Sequence, residues 1–265
     1  MLSHPLLPKL KALRLSGMAN SLEERSELAR EQKLTPVEFL ALLLDDEIDR
    51  RHRKRLARME RIAGFENVKL LSGFDFAAAP TIDRSLVLEM ATCAFIERKE
   101  NWLICGPTGV GKSHLATAIG YEAIKRDFSV GSYQTHKLLA ELHASRADGS
   151  DVKLMRKVAG YDLLILDDFG LRPITPQGAD DLYEIIHCRY ERSSTILTSN
   201  RSVSEWPEVF GDSLLASAAL DRLTHHARVT VITGESYRQK SRRHVLSGPE
   251  GKENTTQQES VSQTH

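Results

Sequence analysis

The chain has 265 residues, 41% hydrophobic and 27% charged, with 36 Lys and Arg against 36 Asp and Glu for a formal net charge of +0; this is long enough for one good core and a small second domain, and it excludes a global basic field, so nucleic acid could be met only through local patches. Three widely spaced cysteines, Cys93, Cys105 and Cys188, form no CxxC, which argues against a disulfide framework or a zinc site and for a reducing compartment. Apolar runs such as Phe39 to Leu44 are too short to span a bilayer, and the N-terminus lacks a signal peptide's features, so the expected setting is the cytoplasm, with no membrane partner.

Residues 1–70 read as a small all-α domain. Leu6, Leu10, Leu13 and Leu15 begin an amphipathic pattern that should break near Ser16-Gly17, with a second helix over Met18 to Gln32. Thr35-Pro36-Val37-Glu38 then supplies a threonine cap, a proline in the first turn and a glutamate three residues after the cap. That helix should run to about Gly64. Its second half carries Arg50, Arg51, Arg53, Lys54, Arg55 and Arg58. Such a helix can lie along a phosphate backbone; equally, it can be a solvated face offset by Asp45, Asp46, Glu47 and Asp49. Phe65 to Pro80 reads as a linker whose Phe74 and Phe76 either plug the seam to the next domain or pack on a base. A helix is expected over Thr81 to Lys99, capped at Thr81 or Asp83.

Residues 71–246 read as an α/β domain. Asn101 to Cys105 is a short apolar strand, followed by Gly106-Pro107-Thr108-Gly109-Val110-Gly111-Lys112-Ser113 and then a helical pattern to Arg126. This is the phosphate-binding P-loop in its proper context of strand, loop and helix. Its glycines let backbone amides wrap an anion, Lys112 carries charge to the β- and γ-phosphates, and Ser113 is placed to ligate Mg²⁺. His114 adjoins the loop. The expected ligand is therefore ATP or a related triphosphate with Mg²⁺. Further strands are expected at 129–133, 161–168, 194–200 and 228–232, alternating with helices at 136–146, 151–158, 176–190 and 213–224, which predicts a parallel sheet flanked by helices.

The third strand, Leu163-Leu164-Ile165-Leu166-Asp167-Asp168, is four apolar residues followed by acid, a Walker-B pattern. Asp167 is the expected Mg²⁺ ligand. Asp168 either orients the attacking water or caps the next turn, and it is shorter than the glutamate many ATPases use there. Asn200, at the tip of the next strand, can meet the γ-phosphate or the water, with Thr198 and Ser199 as alternatives. Arg222 can reach a neighbouring subunit's phosphate or pair with an acid of its own chain. Arg238 can sense phosphate or, with Lys240, Arg242 and Arg243, form a basic patch. His225-His226 have no partner at metal-ligand spacing. Residues 247–265 lack apolar anchors and should be disordered.

Taken together, Gly106 to Ala116, Leu163 to Gly170, Thr198-Ser199-Asn200, Ala219-Leu220-Asp221-Arg222-Leu223 and Gly234-Glu235-Ser236-Tyr237-Arg238 resemble the AAA+ ATPases of the DnaC/IstB group, and within it the IstB-like helpers of insertion-sequence transposition. The N-terminal run Leu10 to Met18 and the basic stretch before Phe74-Asp75-Phe76 are similar too. The resemblance covers residues 1 to about 246. It implies a helical DNA-binding domain followed by a AAA+ domain without a C-terminal helical lid. It also implies ATP-driven self-assembly on duplex DNA, DNA bending, recruitment of an IstA-type transposase, and ATP hydrolysis that resets the assembly. The alternative within the same group is a replicative helicase loader.

Overall fold

The computed structural model describes residues 5–234, 236 and 237. They fall into two compact units that divide after Gly64.

The first unit is helical: α1 (Leu7–Ala12), α2 (Ser16–Glu31) and α3 (Pro36–Ala63). The start of α3 follows from its sequence. The Thr35 hydroxyl accepts from the Glu38 amide while the Glu38 carboxylate accepts from the Thr35 amide, a reciprocal cap, and Gly64 ends the helix in the left-handed conformation at φ 75°. A small core of Met18, Leu22 and Leu43, with Leu7, Leu10, Leu15 and Phe39 packed on it, joins the helices. The expected break near Ser16-Gly17 falls just before them: the chain turns at Leu13 to Leu15, and α2 begins at Ser16, two residues earlier than expected, so that Gly17 lies in its first turn. Gly17 serves close approach. A Cβ there would stand 2.7 Å from Glu47 Cα, and its amide donates to Glu47 Oε2 at 2.5 Å. Arg25 grips Asp46 through two 2.8 Å hydrogen bonds, which hold that carboxyl down at about 2.

The second unit is a five-stranded sheet, β1 (Asn101–Cys105), β2 (Val130–Gln134), β3 (Leu163–Phe169), β4 (Ser194–Ser199) and β5 (Ala227–Val231), in the order β2-β3-β4-β1-β5 with every pairing parallel. The central strands are apolar almost throughout because helices cover both faces. Those helices are α4 (Arg84–Ala91), α5 (Ala94–Glu97), α6 (Lys112–Lys125), α7 (Thr135–Ser145), α8 (Asp151–Ala159), α9 (Pro176–Arg189), α10 (Trp206–Phe210) and α11 (Ser213–Thr224).

Two local expectations are corrected. The single helix over Thr81 to Lys99 is two: Asp83 caps α4, which stops at Ala91, and Cys93 turns left-handed at φ 64° before α5. Short α10 was not anticipated. It packs Trp206 and Phe210 on Phe169, with ring centroids 4.8 and 6.0 Å apart, and so closes the core beyond the end of β3. Arg189, almost fully buried, donates to the carbonyls of Val158, Ala159, Tyr161 and Ser194, tying the end of α8 to the starts of β3 and β4. Burial lowers its pKa to about 9.

Gly17→Ala tests the close approach of α2 and α3. The added methyl meets backbone, so the variant is expected to lose about 1–3 kcal/mol of stability in urea unfolding; an unchanged midpoint would show that the helices separate freely.

Candidate nucleotide-binding site

The loop between β1 and α6 is shaped by three glycines at φ 149° (Gly106), 88° (Gly109) and 101° (Gly111), conformations that side chains resist. It is also enclosed. A Cβ on Gly106 would lie 2.2 Å from the Ile232 carbonyl oxygen, and one on Gly111 would lie 2.7 Å from the Phe74 ring. The Tyr237 amide donates to the Gly109 carbonyl at 3.0 Å, so the segment after β5 lies across the loop. Lys112, buried at the start of α6, donates from Nζ to the carbonyls of Gly106 and Pro107 at 2.8 Å each.

Strand order brings the remaining pieces in. Because β4 lies between β1 and β3, its carboxyl end stands between the loop and the acids of β3. The Gly106 amide donates to the Ser199 carbonyl at 3.1 Å, and Ser199 Oγ donates to the Phe169 carbonyl at 2.9 Å. Ser113 Oγ donates to Asp167 Oδ1 at 2.8 Å, and the Thr198 hydroxyl donates to the same oxygen. The Thr198 oxygen in turn accepts from the Asp168 amide at 3.1 Å. Asp168 sits at φ 56°, where the pairing of β3 with β4 shifts register between Leu166 and Phe169. Thr198 is completely buried. From the sequence it stands only as an alternative to Asn200. Its signal was there, a hydroxyl residue two positions before the tip of a strand, but only strand order shows what it faces.

The other candidate residues are distributed as follows. Thr108 and Val110 lie in the loop between its glycines, Val110 buried. Asn200 is exposed, one residue past the end of β4. His114 Nε2 pairs with the Leu70 carbonyl at 3.0 Å, and its ring meets Phe74 edge-on at 5.4 Å. Phe74, read as a seam or base-stacking ring, thus lies against the P-loop glycine itself. Arg222 is not near its own loop. It sits at the end of α11, where Leu223 and His226 accept hydrogen bonds from Asn101, the first residue of β1, while the loop leaves β1 at its last residue. At about 3.3 Å per residue, β1 alone separates them by roughly 13 Å. Its guanidinium lies over Tyr183 and Tyr190, 5.4 and 6.0 Å from the ring centroids, and makes no ion pair among the described residues. Arg238, Lys240 and the tail from 247 lie outside the described residues. Along α3, Arg51, Arg53, Lys54, Arg55 and Arg58 are exposed; Arg50 and Arg51 are partly offset by Glu47, at 3.6 and 2.7 Å. A cavity of about 810 Å³ lies elsewhere, between α7, α8 and α9, lined in part by Arg146, Met155 and Asp181.

The donors suit a nucleotide with its metal. The glycine cradle presents backbone where a Cβ could not fit, and Ser113 with Asp167 is a hydroxyl–carboxylate pair of hard oxygens of the kind Mg²⁺ takes. The family model for IstB-like ATP binding proteins matches residues 8–245. The chain belongs to the IstB-like family. A protein of insertion sequence IS21 from Pseudomonas aeruginosa, whose name describes it as ATP-binding, is 37% identical over 91% of this chain and 91% of its own length. The insertion-sequence ATP-binding protein y4pL of Sinorhizobium fredii is 40% identical over 92% of this chain and 99% of its own. Among solved structures, the DnaC helicase loader superposes with a TM-score of 0.53 at 23% identity, over 63% of this chain and 97% of that one. AMPPCP-bound DnaA from Aquifex aeolicus also gives 0.53, at 21% identity, over 69% of this chain and 56% of that one. These IstB-like sheet and helices are therefore an AAA+ fold, and the chain is an ATP-binding protein of the insertion-sequence type.

Thr198→Val removes the hydroxyl and keeps the shape. It is expected to lose about 1–3 kcal/mol of stability in urea unfolding, because the Asp168 amide loses its acceptor, with Thr198→Ser restoring most of the loss; a valine variant as stable as the parent would remove Thr198 from the site's design.

Proposed function

We propose that this IstB-like protein hydrolyses ATP in a site shared between subunits, and that the ATP-bound assembly grips and bends duplex DNA and presents it to an IstA-type transposase. The observation that carries the reading is the split of the site. The P-loop, Asp167, Asp168 and Thr198 converge at the carboxyl ends of the strands, while Arg222 lies at the opposite end of β1. An arginine so placed can complete a phosphate site only on another copy of the chain.

In this reading Gly106 to Ser113 and His114 surround the triphosphate. Lys112 exchanges its two loop carbonyls for phosphate oxygens. Ser113 and Asp167 hold Mg²⁺, which when bound neutralises phosphate charge. Asp168, fixed at its amide by Thr198, orients the water and takes its proton, and Asn200 steadies that water or the γ-phosphate. Arg222 of a neighbouring copy stabilises the charge that develops on the transferred group. Arg238, from its place in the Gly234-Glu235-Ser236-Tyr237-Arg238 motif, is assigned the role of a second phosphate sensor. Hydrolysis loosens the joint and resets the assembly. The exposed row Arg51, Arg53, Lys54, Arg55 and Arg58 supplies the DNA grip, a local patch of the kind that a chain of neutral overall charge must rely on.

Two experiments test this. Duplex binding is expected to require ATP and to weaken steeply with salt. Changing Arg51, Arg53, Lys54, Arg55 and Arg58 together to Gln should abolish it while ATP binding persists, each lost phosphate contact lowering the salt slope by about 0.9. Unaltered duplex binding by that variant would favour the helicase-loader reading, in which the helical unit holds a protein. Separately, Arg222→Ala should lose hydrolysis by roughly a thousandfold yet regain it when mixed with Lys112→Ala, because each supplies the half-site the other lacks. No recovery on mixing would place Arg222 in a role within its own subunit.

A further inference from the structure

Outside the nucleotide site, one cluster of metal-ligating side chains is assembled among the described residues: Glu191, His225 and His226. The sequence does not announce it, because the histidines are adjacent and the glutamate comes far earlier. The fold brings them together because α9 and α11 pack side by side and both end here. Glu191 Oε1 lies 3.9 Å from His225 Nδ1 and 3.8 Å from His226 Nε2, and the three donor atoms fall within 4.8 Å of one another. The imidazole centroids are 4.0 Å apart, with 39° between their planes.

We propose that Glu191, His225 and His226 form a binding site for a transition-metal dication of the Zn²⁺ class, which staples the end of α9 to the end of α11. In a tetrahedral Zn²⁺ site, bonds of about 2.0–2.2 Å put ligand atoms roughly 3.4 Å apart, so the two glutamate–histidine spacings must contract by about half an ångström and the histidine–histidine spacing, within 4.8 Å, by up to about 1.4 Å. All three side chains are exposed and can turn that far, whereas the two histidine backbones are anchored. The His225 amide donates to the Asp221 carbonyl at 3.0 Å, and the His226 carbonyl accepts from Asn101 at the start of β1 at 2.8 Å. The Tyr190 hydroxyl, 2.6 Å from His225 Nδ1, holds the nitrogen that would bind the ion and must swing aside when the site fills. Two imidazoles and one carboxylate are a borderline donor set that favours Zn²⁺, Ni²⁺ or Cu²⁺ over Mg²⁺. The cluster would therefore select a different ion from the hydroxyl–carboxylate pair of Ser113 and Asp167. The staple lies one turn beyond Arg222, whose guanidinium shares the Tyr190 ring, so an occupied site would restrain the helix end that carries it.

The test uses untagged, full-length protein treated with chelator and titrated with Zn²⁺ alone by calorimetry, then with Co²⁺ for its visible d–d absorption. The parent is expected to bind one equivalent at this site, to show Co²⁺ bands typical of nitrogen and oxygen ligands, and to melt at a higher temperature with Zn²⁺ than without. His225→Ala, His226→Ala and Glu191→Gln should each weaken that equivalent by about tenfold or more and remove the thermal gain, while His143→Ala on α7 should change neither. Circular dichroism of the metal-free variants confirms that these exposed substitutions leave the fold intact. An equivalent bound with parental affinity by all three variants, or no heat with Zn²⁺ in excess, would overturn the proposal.

Discussion

The Thr198 hydroxyl is the joint on which the nucleotide site depends. It is completely buried, and both of its bonding capacities are used, one toward the Asp167 carboxylate and one toward the Asp168 amide. Leaving such a group unpaired would cost about 1–3 kcal/mol, so the local structure is tied to keeping two successive acids in fixed and different postures. Asp167 meets Ser113, while Asp168 turns left-handed within an irregularity of β3 before Phe169 resumes the pairing. A non-glycine residue in that conformation carries strain, and the hydrogen bond from its amide to Thr198 is part of what holds it there.

That joint exists because of strand order. With β4 between β1 and β3, a single strand tip touches the P-loop through Ser199 and the acids through Thr198. The same parallel arrangement brings the end of α11 to the amino ends of the strands, where Arg222 rests on two tyrosines. Both halves of the proposed shared site, and the metal cluster beyond Arg222, thus follow from one topology. The parallel sheet gathers phosphate chemistry at the carboxyl ends of its strands and leaves the ends of α9 and α11 at their amino ends.

The helical unit works by a different economy. Its core is only a few side chains, so backbone proximity and polar closure matter more. Gly17 lets α2 touch α3, and Glu47, buried beneath it, is satisfied by the Gly17 amide and by Arg51. Arg50 and Arg51 are therefore partly committed to the fold, while Arg53, Lys54 and Arg58 extend along the exposed remainder of the helix.

The sequence alone determined much of this protein: the capping box at Thr35, the parallel α/β sheet, the P-loop, the paired acids and the family resemblance. Each of these is a local pattern whose physical meaning is complete within a few residues, such as a cap, an apolar strand, or glycines where backbone must approach an anion. Where a residue's role depended on what lay opposite, local reading failed. Gly17 marks the start of α2 and is also a contact with α3; Phe74, open between a seam and a base-stacking ring, lies against Gly111 of the P-loop; His225 and His226 have no local partner, and the fold sets Glu191 beside them. Thr198 is the sharpest case. Its neighbours are thirty residues away in the chain, and only the insertion of β4 between β1 and β3, a consequence of sheet packing over the whole unit, placed its hydroxyl between the two aspartates.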